Sequence, residues 1–548
     1  MTLGGTENDS ERYNLRHRRH NIERLLIEYG LLRINGRSQT AQESPVRRLR
    51  WVLEKAGPVF ALFGRYLSSR ADWIPVRDCL ELDAIDDRAP VLSPEQIKRL
   101  FHDQLGEGPE RIFLTFDAQP HACRATFQIH HARLVDGTPI HVDVLHPTHP
   151  ERIQGELGLL PLLQEGVAAA GWTGFTLDEA VTDFARTMER RREEPVSLKP
   201  VNLLAEDERL FHQIAVPRVY EAYSSRSIRT MERLSGWSLE ELIRENATPP
   251  SPSFRRNPFD LLDLRPSDIA RLVHLVWLRQ AVYGRTYPID LHPGDIWVLN
   301  THQIAFTGGI FAALPTLTKE NVRQYLNAAA AADPDRAYRY LTPEMEEVDR
   351  ARNEQSVRNR FRQIVPFRDG PWDQEGAGDL LAEHLMVHWR IVREHGYHVR
   401  IHMRDFYRGL FTVVRQVNRL APHQDALKEG LEDLRYAAGI SEMRDMMDEN
   451  VWRDTMGRYT VNLLQLPHLL NEALTGAAVE DPRPPRTVQK ERSSSSAVLA
   501  GALCLMTVVA IMLRHFETSG ANKPWIHMLG AGLFMAAGLA ALRAVYRK

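Results

Sequence analysis

Residues Tyr287–Gly309 read YPIDLHPGDIWVLNTHQIAFTGG. The second half of the stretch has the pattern of a short β-hairpin. Ile296, Val298 and Leu299 are strand formers, Asn300–His302 supply a turn, and Ile304–Phe306 lead back. The first half is a loop. Pro293-Gly294 is a turn signal in any fold, and two carboxylates, Asp290 and Asp295, flank it. Carboxylates are hard-cation ligands, so this pair can share one divalent ion.

An Asp on a loop just before a hairpin is similar to the protein-kinase layout. There a loop Asp accepts the hydroxyl proton, an Asn shortly after it holds a metal, and a DFG Asp past the hairpin holds the nucleotide's Mg²⁺. More closely, YPIDLHPGDIWVL resembles the HxDPHPGNxxV loop of the UbiB (AarF-type) atypical kinase-like family. The resemblance puts Asp290 on the catalytic Asp and His292, Pro293 and Gly294 on HPG. Pro288 stands where that family has His, and Asp295 where it has the metal-binding Asn. Thr307–Gly309 stands in place of DFG, with one residue deleted from the hairpin.

Upstream, Gly57–Pro75 reads GPVFALFGRYLSSRADWIP and resembles the family's GPxFxKxGQxxSxRxDxxP. Gly57, Pro58, Phe60, Gly64, Ser68, Arg70, Asp72 and Pro75 keep the spacing, while Leu62 replaces Lys and Arg65 replaces Gln. The resemblance implies a helix packed over the active-site cleft. Pro120–Pro147, PHACRATFQIHHARLVDGTPIHVDVLHP, resembles the first hairpin of the small lobe, PxAAASxGQVHxAxLxDGxxVAVKVxxP. Gln128, His130, Ala132, Leu134, Asp136, Gly137, Val142, Val144 and Pro147 match, and Asp136-Gly137 suits a two-residue hairpin turn. Cys123-Arg124-Ala125 takes the place of Ala-Ala-Ser, and Asp143 that of the phosphate-pairing Lys. An Asp there repels a triphosphate instead of neutralising it. Alternation alone makes Ile140–Leu145 a strand with His141, Asp143 and Leu145 on one face, which leaves Asp143 free to be an outward, solvated carboxylate.

Leu203–Phe211 resembles the segment with the family's ion-pairing Glu, and Glu206 is the nearest candidate. With Asp143 as its opposite number that ion pair cannot form. Pro200 and Asn202 occupy the upstream acidic positions. Ile214–Gly236 follows the strand-to-hinge pattern, with Met231, Glu232 and Gly236 in step. The family-equivalent cofactor positions are therefore Gln128, Asp143, Glu206, Glu232, Asp295 and Thr307, and the metal candidates are Asp290 and Asp295.

The rest of the chain bounds these readings. Its 548 residues carry 69 basic and 71 acidic side chains, so no bulk field points to nucleic acid. Cys79, Cys123 and Cys504 are too scattered for a disulfide framework or a zinc knuckle, which fits a cytosolic body. The polar start MTLGGTENDS has no apolar core of a signal peptide. Leu25, Leu26, Tyr29 and Leu32, after the basic LRHRRH run, recur at helical spacing. That helix either lies on an anionic membrane surface or packs on the body with its charges solvated. Ile112–Phe116 is strand-like, residues 150–195 are helical, and their ERRREE run (Glu189–Glu194) reads as a solvated face. Ala247–Pro258 is a loop or insertion, Ser267–Ala281 a buried amphipathic helix, and residues 318–420 are helical in pattern. His384 and His388, and again His398 and His402, are one turn apart. Such pairs can bind Zn²⁺ or can be ordinary helix-face histidines, and no third ligand stands at a recognised spacing. Pro482–Ser496 is a basic linker. Ala497–Leu513 and Trp525–Leu542 are apolar enough to span a bilayer, with Arg486, Lys490 and Arg492 at one end and Arg543, Arg547 and Lys548 at the other.

The expected fold is α+β: a protein-kinase-like two-lobe fold with an N-terminal helical extension (1–100), a small mixed α/β lobe (101–235) and a large helical lobe (236–425). A helical tail with a linker (426–496) and a transmembrane helical hairpin (497–513, 525–542) follow. By resemblance the protein works at the bacterial inner membrane, with its body in the cytoplasm, on isoprenoid quinone (ubiquinone) biosynthesis. ATP and Mg²⁺ are expected to bind weakly or not at all, and the lipid membrane, quinone intermediates or quinone-biosynthesis proteins are the expected partners. Three readings stay open: a pseudokinase scaffold, an ATPase or kinase with rearranged metal ligands, and a module whose cleft takes a prenyl tail.

Overall fold

The computed structural model describes residues 15–32, 43–146, 150–193, 199–208, 212–247, 257–347, 354–364, 380–422 and 424–447. The apolar runs 497–513 and 525–542, the linker Pro482–Ser496 and most of the Ala247–Pro258 insertion lie outside them. Among the described residues no helix is long and apolar enough to cross a membrane. The described residues up to Arg444 form one compact unit.

The N-terminal helices follow from their punctuation. Ser44 caps the helix Pro45–Ala56 by accepting from the Arg47 N–H, with Pro in the first turn. Gly57 then turns the chain at φ 106°, a conformation that L side chains avoid, and the helix Pro58–Ser68 begins at once. The Gly-Pro of the motif is thus a helix-to-helix corner. A Cβ on Gly64 would run into Ile85, so glycine lets the chain behind the helix approach closely. The helix Leu15–Glu28 buries Ile22 and Leu26 and lays Leu25 on the core. Its Arg18 pairs with Glu156 at 2.7 Å. Of the two sequence readings, this helix packs on the body.

The small lobe is a sheet of β1 (Thr115–Phe116), β2 (Ala122–Cys123), β3 (Phe127–Arg133), β4 (Pro139–Leu145) and, after β5 (Ile214–Ala215), β6 (Ile228–Glu232). The order is β1-β3-β4-β6, with β2 also on β3. Gly137, at φ 88°, and Asp136, whose Oδ1 accepts from the Thr138 N–H, make the β3–β4 turn. Ile112 falls in a helical turn, Pro109–Ile112, and β1 is only Thr115–Phe116, because Pro109 sits at the first helical position. Alternation sets the faces. Gln128, His130, Ile140, Val142, Val144 and Ile228 turn away from the cleft; the apolar ones pack with Phe101 and Phe113 as a small second core. Ile129, Asp143 and Arg229 stand side by side across three strands on the other face.

The large lobe begins at β7 (Trp237–Ser238), and the nearly enclosed helix Pro266–Val282 leads into β8 (Tyr287–Pro288). The hairpin forms as its pattern requires: β9 (Ile296–Val298) pairs antiparallel with β10 (Ile304–Phe306), and β11 (Phe311–Ala312) returns on β8. The Asp290–Asp295 loop is thereby tied at both ends. Trp277 Nε1 donates to the Pro288 carbonyl at 2.8 Å. The helix Ile401–Leu420 comes close through Gly409, where a Cβ would lie 3.1 Å from Ile289 Cα. Within the stretch assigned to helices, β12 (Met345–Glu347) pairs with β13 (Tyr397–Val399). Three-residue strands are too short to register in a helix-length window. His388 is buried on Phe361 (ring centroids 4.2 Å apart), with Nδ1 2.9 Å from Tyr325 Oη; its neighbour His384 is pushed down to about 4 by burial. His398 lies 2.9 Å from an Arg393 nitrogen. Among the described residues no three His, Cys, Asp or Glu gather as a metal set.

One ionic knot joins the layers. Arg70 donates to Asp72 Oδ1 and Oδ2 at 2.8 and 2.6 Å, and to Asp183 Oδ2 at 2.9 Å, on the helix Leu177–Glu193. Its guanidinium lies 3.3 Å from the Trp73 ring centroid. Arg404, on Ile401–Leu420, pairs with Asp183 at 2.9 Å. Arg390, on the helix Leu380–Glu394, donates to the Ala71 carbonyl at 3.0 Å. Removing one member of such a buried set strands the others, a loss of about 3–5 kcal/mol. We expect Arg70→Leu to lower the urea unfolding free energy by roughly that amount, and Arg70→Lys to recover little, since an ammonium cannot make the forked contact. A loss below about 1 kcal/mol, the range of exposed pairs, would show that the knot is not structural.

Candidate functional site

Between the small-lobe sheet and the hairpin lies a cavity of about 640 Å³ bordered by Asp143, Arg229, Met231, Asp295, Trp297 and Thr307, among others. Beneath it a smaller one, about 50 Å³, is bordered by Asp290, His292, Asp295, Gly308 and four arginines, Arg65, Arg124, Arg191 and Arg229.

Asp290 follows β8 at the floor. Arg191, from the last turn of the helix Leu177–Glu193, forms an ion pair with its Oδ2. Burial pushes the Asp290 carboxyl up, but Arg191, Arg408 and Arg65 outweigh that and hold it below the ordinary carboxylate range. The neighbouring Arg190 donates to Asp405 Oδ2 at 2.8 Å and to the Phe311 carbonyl at 2.7 Å. The ERRREE run is therefore not a uniformly solvated face. Arg190 and Arg191 point inward, and Arg191 reaches the site, because they continue the Asp183 and Thr187 side of the helix, which is buried.

His292 is kept neutral, well below its usual pKa, by burial and by Arg124 and Arg65, and its Nδ1 accepts from the Gly294 N–H at 3.0 Å. Asp295 accepts from the His292 N–H at 3.2 Å, and its own carbonyl accepts from the Thr307 N–H at 2.9 Å. Burial, aided by Asp143, raises the Asp295 carboxyl against Arg124, the His292 N–H and Arg229. A Cβ on Gly308 would come within 2.8 Å of Asp295 Cγ. The short loop after the hairpin thus lies directly on the carboxyl and leaves no room there for a side chain.

Asp143 is 4% exposed and faces the cavity, which removes the solvated-carboxylate alternative. Its cation is Arg229, opposite it on β6, with Nη2 at 2.6 Å and Nε at 3.0 Å. Arg229 Nη2 also donates to the Thr307 carbonyl at 3.1 Å, bridging the lobes. Neither Arg65 nor Arg124 pairs with Asp143. Arg124 donates to Glu240 at 2.8 Å, and Arg65 lies 3.5 Å from Asp87. Leu62, in place of the motif Lys, is buried in the core.

Three sequence candidates are not in the cleft. Glu206 is exposed and paired with Arg285, because the helix Lys199–Glu208 turns Asp207 inward instead. Gln128 faces the second core, where Oε1 accepts from the Leu92 N–H at 2.9 Å and Nε2 lies 2.8 Å from His130 Nε2. Glu232 sits at the end of β6 and accepts from the Arg218 N–H at 3.3 Å. Asp143, Asp290, Asp295 and Thr307 do come together around the two cavities. The cavity residues that motif matching missed are Arg191, Arg229, His141 and Trp297. Arg191 was signalled by helical spacing from Asp183; Arg229 needed the strand register.

The sequence of residues 84–341 matches the model of the ABC1 atypical kinase-like domain. Over 508 residues the chain is 25% identical to a Pseudomonas putida protein called "Probable protein kinase UbiB", covering 89% of this chain and 88% of that one. An Azotobacter vinelandii protein of the same name is 26% identical over 509 residues, 90% of this chain and 88% of its own length. A solved structure titled as a complex of Rv3197 with erythromycin, from Mycobacterium tuberculosis, aligns at 17% identity and a TM-score of 0.40 over 61% of this chain and 85% of that one, a likeness too loose to argue from.

Proposed function

Because this chain belongs to the UbiB-type, ABC1 atypical kinase-like family, we propose that it is a pseudokinase: a scaffold at a bacterial inner membrane, linked to isoprenoid quinone biosynthesis. The family supplies the quinone link, and the cleft supplies the argument against catalysis. The observation that carries it is the commitment of the Asp290 carboxylate to Arg191. Phosphoryl transfer depends on positioning and on cations that neutralise the phosphates. At the Lys position stands Asp143, already neutralised by Arg229. Thr307 stands at the DFG Asp and offers no carboxylate to a metal. A ligand-held Mg²⁺ would have to displace Arg191 from Asp290, and burial, which raises the Asp295 carboxyl, works against the charged form that would bind the ion.

A second reading keeps one supporting observation. Asp290 and Asp295 border the same small cavity, and two carboxylates can hold one divalent ion. An enzyme built this way would need Arg191 to swing aside. ATP turnover by the purified full-length protein in lipid separates the two. The pseudokinase reading predicts no turnover above background for wild type, Asp290→Asn or Arg191→Ala. Turnover that is present in wild type and lost in Asp290→Asn would establish the enzyme.

The membrane placement rests on the apolar runs 497–513 and 525–542 and their basic flanks. Truncation after Glu491 is expected to release the body into the soluble fraction and to abolish the biological effect, if location is the function. A truncated protein that still sediments with membranes after a high-salt wash would place the anchor elsewhere.

A further inference from the structure

His141 on β4 lies two residues before Asp143, and Trp297 on β9 lies two residues after Asp295. Side chains two apart on a strand share a face, about 6.6 Å apart along it. His141 is therefore one strand repeat from Asp143 at the phosphate end of the cleft, and β9, which carries Trp297, follows directly on the short turn Pro293–Asp295 that ends on Asp295. Both border the 640 Å³ cavity, His141 from the small-lobe wall and Trp297 from the large-lobe wall. They meet across it, with ring centroids 5.9 Å apart and planes inclined by 55°. A third flat ring between two others needs about 7 Å, two carbon–carbon contacts of roughly 3.5 Å each.

The His141 ring is also held. His131 lies parallel to it, centroids 4.9 Å apart and planes 6° apart, and His121 is 4.2 Å from His131. Burial, with Arg233 and His121 adding to it, takes His141 down to about 4, and burial with Arg233 takes His131 down to about 4, so these two stacked rings are neutral and do not repel each other at neutral pH. His141 is 8% exposed and cannot turn outward without breaking the column.

We propose that His141 and Trp297 close the inter-lobe slot that would otherwise take a purine, so that this cleft selects against nucleosides independently of their phosphates. The pseudokinase reading concerns the phosphate and metal end; this inference concerns the other end and deepens that reading. A nucleoside without phosphate tests it alone, since adenosine cannot report on Arg191, Asp143 or a metal.

Adenosine binding to full-length protein in detergent is measured by isothermal titration, for wild type, Trp297→Leu and the double variant His141→Ala/Trp297→Leu. Wild type is expected to show no saturation through the millimolar range, and the double variant to bind at least tenfold more tightly. Saturable micromolar binding to wild type would overturn the proposal. So would a double variant that melts cooperatively, as wild type does, yet gains no affinity. If the double variant does not fold, Trp297→Leu takes its place, with a gain over wild type expected and no gain overturning the proposal. ATP turnover in wild type with no adenosine binding would leave this inference standing while removing the pseudokinase reading.

Discussion

Arg191 can reach Asp290 only because the helix that carries it is pinned two turns earlier. Asp183, on that helix, is gripped by Arg70 from the N-terminal motif and by Arg404 from the helix Ile401–Leu420. Burial alone would raise the Asp183 carboxyl, but Arg404 and Arg70 hold it below its ordinary value. Its contribution to stability is thus fully present above the unfolded Asp pKa near 3.9 and is lost as pH falls through the lower folded value. With Asp183 fixed, the same face of the helix runs on to Arg190 and Arg191, which meet Asp405 and Asp290. The N-terminal extension, the helix and the catalytic-type loop therefore form one chain of paired charges.

The same constraint governs the rest of the cleft. A charge removed from water must be paired or neutralised. Asp143 takes Arg229, Arg124 takes Glu240, and Asp295 shifts toward its protonated form. Where phosphate, metal and Lys would balance one another, side chains of this chain do so instead. The retained and replaced motif positions then sort by physics. Gly57, Gly64, Arg70 and Asp72 make a corner, a close contact and the knot, which the fold needs with or without a ligand. Leu62, Asp143 and Thr307 stand where ligand chemistry would be, and each is satisfied without it.

Much of this was legible in the sequence because it is local. The hairpin of Ile296–Phe306, the Asp136-Gly137 turn and the Gly57-Pro58 corner depend on residues adjacent in the chain. The placement of Asp143, Asp290, Asp295 and Thr307 followed from motif spacing. Glu206 failed because a helix shifted by one position exchanges an inward for an outward residue, and Asp207 took the inward place. Gln128 failed for the strand version of the same reason, since alternate residues of β3 face opposite cores. Arg229 and Arg191 lie 86 and 99 residues from their partners; helical spacing from Asp183 turns Arg191 inward, but no local pattern names Asp143 or Asp290 as the partner.

The central claim is that Asp290 serves the fold through Arg191 and is not held in reserve for catalysis. A double-mutant cycle of Asp290→Asn and Arg191→Met, read by urea unfolding at neutral pH, tests it most directly. A partly buried, desolvated pair predicts a coupling free energy of at least about 1–3 kcal/mol. A coupling within about 0.3 kcal/mol of zero, with the two single losses simply adding, would contradict it and leave the Asp290 carboxylate available for other work.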